Sequence, residues 1–75
     1  MDEKMLRRQI KRYGNDAIRF KVKADRAYAA YKTYGDNNDY LNSQRYYEAE
    51  KRAKDICKEY EAQLRRLKRS KERVS

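Results

Sequence analysis

Apolar residues recur along the first half of the chain at steps of four and three: Leu6, Ile10, Tyr13, Ala17, Phe20, Ala24, Ala27, Tyr31 and Tyr34. That rhythm keeps them on one stripe of an α-helix and also fits a heptad seam. Ile18 and Ala30 widen the stripe, while Arg19, Lys21, Lys23, Asp25 and Arg26 between them are expected to face water. The second half repeats the rhythm with Tyr46, Ala49, Ala53, Ile56, Tyr60, Gln63 or Leu64, and Leu67. Two helices are therefore predicted, over about 3–34 and 43–69, each roughly 45 Å long at 1.5 Å per residue.

Gly35, Asp36, Asn37, Asn38 and Asp39 make the clearest break between the two runs. Glycine suits a left-handed C-cap, and Asn and Asp suit turns and N-caps. The turn is placed at 35–42, with Asn42 or Ser43 capping the second helix and Tyr40 and Leu41 packing over the hairpin end. Gly14, Asn15 and Asp16 form a second candidate break, and Lys11-Arg12-Tyr13-Gly14 echoes Lys32-Thr33-Tyr34-Gly35. The seam keeps its phase through Gly14, which favours a continuous helix; a turn there would give a three-helix bundle instead. On the second helix, Glu48–Arg52 and Glu50–Lys54 are i,i+4 pairs in the favourable order of acid before base. The pattern fades after Leu67, so 70–75 is expected to fray.

The fold class that follows is all-α: one domain over 1–75, an antiparallel, coiled-coil-like helical hairpin. Its facing stripes are thin and rich in alanine, so two helices alone bury little apolar area. A second copy that completes a four-helix bundle is the simplest remedy, making the chain a homodimer. Composition sharpens that need. Leu, Ile, Val and Phe supply only 10 of 75 residues and 44% of the chain is charged, which overlaps the signature of disorder. Eight tyrosines, no proline and the strict periodicity argue for a folded helical state.

Charge supplies the functional clue. The net charge is +9, and the basic residues concentrate at the two ends. Lys4, Arg7, Arg8, Lys11 and Arg12 lie near the start; Arg65, Arg66, Lys68, Arg69, Lys71 and Arg73 lie near the finish. A fold-back near Gly35 would gather these eleven cations at one pole, diluted by Asp2, Glu3 and Glu72. Phosphates would relieve their mutual repulsion and release counterions. Seven of the eleven are arginine, which grips phosphate with two parallel donors. The leading expectation is a small accessory or regulatory protein that contacts DNA or RNA phosphates through Arg7, Arg8, Lys11, Arg12, Arg65, Arg66, Lys68 and Arg69. The alternative is an adaptor or inhibitor that docks on an acidic protein surface. No helix-turn-helix, zinc-finger or RNA-binding-sheet pattern is visible, so base-specific reading is not predicted.

Other chemistry is sparse. Tyr28, Tyr31, Tyr34 and Tyr47 are candidates for a protein interface, since tyrosine offers large contact area at low entropic cost. Tyr31 and Tyr34 fit the seam, so packing is the first reading for those two. The chain has no histidine and one cysteine, Cys57, so neither a zinc site nor an internal disulfide is expected. Cys57 is read as a semi-buried small residue, and Lys54 and Lys58 nearby are expected to lower its pKa slightly. Carboxylates such as Glu48, Asp55, Glu59 and Glu61 lie on a charged helix with nothing to tune them, and no phosphate-binding loop is present. The expectation is no enzyme activity, no cofactor and no metal. With no long apolar run and no signal-like amino end, the expected location is the cytoplasm, or the nucleus in a eukaryote, without membrane insertion.

Overall fold

The computed structural model describes the backbone of residues 2–74 and the side chains of residues 2–71. It is an all-α hairpin of two helices, α1 (Glu3–Tyr34) and α2 (Asn37–Val74). The Cα trace measures 61 × 14 × 14 Å. Asp2 starts α1: its carboxylate accepts from the Met5 amide at 2.8 Å, satisfying one of the donors that a helix start leaves open. Gly35 ends α1 in the left-handed region, at φ 72°, with its N–H donating to the Tyr31 carbonyl. α1 runs unbroken through Gly14, so the three-helix alternative is not what this chain adopts.

The connection is shorter than the sequence suggested. Residues 37–42, assigned to a turn, are already helical, because the cap is Asp36 rather than Asn42 or Ser43. The Asp36 side chain accepts from Asn38 N–H at 2.9 Å, and its carbonyl accepts from Asp39 and Tyr40. Ser43 is instead fully buried against α1, with its hydroxyl donating to the Tyr40 carbonyl at 2.6 Å. At the other end, the expected fraying from residue 70 is not seen: α2 continues to Val74, and Ser75 lies outside the described residues.

The core follows the predicted stripes and is thin. Leu6, Ala17, Ala24 and Ala53 are buried, and Ile10, Tyr13, Phe20, Tyr46, Ile56, Tyr60, Leu64 and Leu67 are half-buried around them. Alanine and serine at the contact let the helices approach closely. Tyr13 stacks on Tyr60 at 5.9 Å between ring centroids, and Tyr31 meets Tyr40 at 5.2 Å. Several seam assignments fail. Tyr34, at the last position of α1, is 81% exposed because the chain turns away before α2 can cover it. Ile18 lies beside the stripe rather than within it and is 64% exposed, and Leu41 is exposed instead of closing the hairpin end. Gln63 faces solvent, so Leu64 takes the seam position.

Candidate polyanion-binding pole

Antiparallel pairing of α1 with α2 places residues 4–12 beside residues 65–71. The register is fixed along the whole hairpin by Tyr31–Tyr40 near the turn, Tyr13–Tyr60 in the middle and Glu3–Lys71 at the open end. The Glu3 carboxylate takes the Lys71 ammonium at 3.3 Å and the Arg7 guanidinium at 2.9 Å, so one acid clasps both helices. The hydrogen bonds from Arg7 and Lys71 hold the Glu3 carboxyl below the usual glutamate range.

Lys4, Arg7, Arg8, Lys11, Arg12, Arg65, Arg66, Lys68, Arg69 and Lys71 are all exposed at this end. The ion pairs found here among the described residues, Arg7–Glu3 and Lys71–Glu3, share a single acid. Asp2 is occupied as the helix cap, and the Arg73 and Glu72 side chains lie outside the described residues. Arg12 lies over the Tyr13 ring at 5.8 Å, which supports its guanidinium from below while leaving it open outward. A shallow cleft between Lys4, Arg7 and Lys71 crosses from one helix to the other. All eight residues singled out for phosphate contact therefore share one pole, on two rigid helices.

The four tyrosines assigned to a protein interface do not form one surface. Tyr31 is half-buried between Tyr28 and Tyr40 and is a packing residue. Tyr28 is exposed at the edge, with the Lys32 ammonium 5.5 Å from its ring. Tyr47 is half-buried and donates its hydroxyl to Asp25 at 2.7 Å, tying the helices together. That bond, with some desolvation, raises the Tyr47 pKa above its ordinary value. Tyr34 is the most exposed of the four, and Tyr40 and Leu41 on the other side of the turn are exposed as well.

Sequence reasoning missed a groove on one face of the hairpin. Its apolar floor includes Gly14, Ala17, Ile18, Val22 and Cys57, and its volume is about 670 Å³. Charged residues rim it, among them Lys21, Asp25, Glu50, Lys54, Lys58 and Glu61. The signal was present in the off-seam pair Ile18 and Val22, one helical turn apart. Within the groove, the Cys57 thiol lies 3.5 Å from both the Ile10 carbonyl and the Glu61 carboxylate. Burial, then the Glu61 contact, pushes its pKa up, opposite to the lowering expected from Lys54 and Lys58. Glu50 instead engages Lys54 at 3.1 Å.

Among the described residues, no group of three or more His, Cys, Asp or Glu is arranged to hold a metal ion, and no helix is long and apolar enough to cross a membrane. No family model matches the chain, and neither a curated protein nor a solved structure matches it.

Proposed function

We propose that this protein is a binding module that contacts nucleic-acid phosphates through its cationic pole, in an accessory or regulatory role and without catalysis of its own, inside a reducing compartment such as the cytoplasm. The observation that carries the reading is the convergence of exposed arginines and lysines from both ends of the chain on two helices clasped by Glu3. Rigid spacing favours oriented contacts, and arginine's fork matches two phosphate oxygens at once. Contacts to backbone phosphate position a protein without reading sequence, so DNA and RNA of mixed sequence are both expected ligands.

A second copy is proposed to complete the fold as a four-helix bundle, since the single hairpin buries little beyond alanine. A competing reading, docking on a protein partner, is favoured by one specific observation: Tyr34 before the turn and Tyr40 and Leu41 after it are all exposed.

The test is binding of labelled mixed-sequence DNA and RNA across a salt series. Phosphate binding predicts affinity that falls steeply with salt, and a shallower salt slope when Arg65, Arg66 and Arg69 are changed together to Gln. The expected loss is about one unit of slope per phosphate contact removed. Unchanged binding by that triple variant sinks the pole. A stoichiometric complex from source lysate that survives nuclease, with no binding to the panel, would transfer the assignment to the protein-docking reading.

A further inference from the structure

We infer that the Ile18–Val22 groove is where the second copy docks, and that it docks antiparallel, with Ile18 near the two-fold axis. The inference rests on the reading that a second copy completes the bundle, and it assigns the face and the orientation. The first support is area. The chain exposes 6261 Å², whereas a compact monomer of this mass exposes about 4,900 Å² by surface scaling. The excess, about 1,300 Å², exceeds the roughly 800 Å² that each partner contributes to an interface of standard size. The groove face offers the apolar part of it: Ile18 is 64% and Val22 45% exposed, over a floor of Gly14, Ala17 and Cys57.

Charge selects the orientation. One end of the hairpin is the cationic pole. The other end, where residues 21–34 of α1 lie beside 37–50 of α2, carries five acids against five bases over 21–50 and is neutral. Parallel docking would set two cationic poles side by side. Antiparallel docking sets each pole against its partner's neutral end and keeps the two poles apart.

Charge also selects the register. Ile18 lies at the middle of α1 (Glu3–Tyr34), so turning one copy over about Ile18 overlaps the helices along their full length. Two heptad steps flank it: Lys11 seven residues before and Asp25 seven after, of opposite sign. On α2, Lys54 lines the same groove, with Glu50 four residues before and Lys58 four after, again of opposite sign. A two-fold axis between Ile18 and Lys54 therefore brings Ile18 onto the partner's Ile18, Lys11 onto the partner's Asp25, and Glu50 onto the partner's Lys58. Two like-charge meetings remain: Lys54 with the partner's Lys54, softened because each is already paired with its own Glu50 at 3.1 Å, and Lys4 with the partner's Lys32, two heptad steps from Ile18. Lys11 is taken up by its pairing with the partner's Asp25, whereas Arg12 and Arg66 do not line the groove and stay free for phosphate. The dimer is then a rod with a phosphate-binding pole at each end.

The experiment combines sedimentation equilibrium with cross-linking on the full chain. The wild type is expected to be a dimer, and Ile18→Glu to raise its dissociation constant at least tenfold. Glu50→Lys and Lys58→Glu are each expected to weaken it several-fold, with the double exchange recovering most of the loss. In a Cys57→Ala background, Ile18→Cys is expected to cross-link efficiently with a short thiol-to-thiol reagent and Arg26→Cys not to. Ile18 is mostly exposed within one hairpin, so its replacement leaves the intrachain core intact. A wild type that stays monomeric at hundreds of micromolar overturns both the groove assignment and the second copy. A dimer that tolerates Ile18→Glu and does not cross-link through position 18 overturns the face and orientation but leaves the second copy standing.

Discussion

Replacing glycine by alanine at the two glycines of this chain should move stability in opposite directions. Gly14 lies in the middle of α1 with ordinary helical backbone, and a Cβ built there meets nothing within 4 Å. Glycine costs about 0.8–1.0 kcal/mol relative to alanine in a helix interior, chiefly through the backbone freedom it surrenders on folding. Gly14→Ala is therefore expected to stabilise by about 0.5–1 kcal/mol, or roughly 2–8 °C in Tm for a domain of this size. Gly35 also has open space around it, but its φ is 72°. A Cβ in the left-handed region costs roughly 1–2 kcal/mol, so Gly35→Ala should destabilise by about 1 kcal/mol. Thermal and urea unfolding followed by circular dichroism, at one fixed protein concentration, gives both values. If Gly14→Ala destabilises as Gly35→Ala does at concentrations where the chain is monomeric, position 14 is a turn and the chain is a three-helix structure.

Leu6 is the largest apolar side chain buried at the open end, so Leu6→Ala should cost about 2–3 kcal/mol in chemical unfolding, toward the low end for core leucines because the site is narrow. Ala24 is fully buried where the helices approach, and Ala24→Leu is expected to cost about 1–3 kcal/mol by overpacking in the same assay. The depressed Glu3 pKa implies stability that is present above its unfolded value and is lost as pH falls through its folded value. An NMR titration of the Glu3 side chain should show the depression, and Lys71→Ala should reduce it. The raised Tyr47 pKa works at the other extreme: its contribution is present below the unfolded tyrosine value near 10.0 and is lost as pH rises through the folded one. Ultraviolet titration should show Tyr47 ionising late, and Asp25→Asn should lower its pKa. Cys57, with its pKa raised, should react with thiol reagents at neutral pH more slowly than an exposed peptide cysteine, and Glu61→Gln should speed it.

The helical hairpin was legible because period-3.6 patterning is a strong signal over 30 residues, and α1 (Glu3–Tyr34) lies where Leu6 to Tyr34 placed it. The turn was misjudged because Asn and Asp favour both loops and helix starts, and composition alone does not say which of several side chains is the cap. Asp36 takes that role, so Asn37 to Asn42 wind into the first turns of α2. Burial at the helix contact was only partly legible. A seam position counts as core only where the other helix reaches it, which is why Tyr34 escapes cover and Ser43 does not. The cationic pole was readable from residue positions once the fold-back was assumed. The Ile18–Val22 groove was not, because two apolar residues off the seam look like a broadened stripe until the second helix is in place.

The cationic pole exists only if the two ends of one chain lie together. The direct measurement is an electron spin–spin distance between nitroxides at Lys4→Cys and Arg69→Cys in a Cys57→Ala background, with labelled chains diluted into unlabelled protein so that only intrachain pairs count. Neighbouring helix axes are about 8–10 Å apart, so the hairpin gives a narrow distribution at short range, below about 25 Å once linker lengths are added. A broad distribution, or one centred near the roughly 100 Å of a single continuous helix of this length, would contradict it.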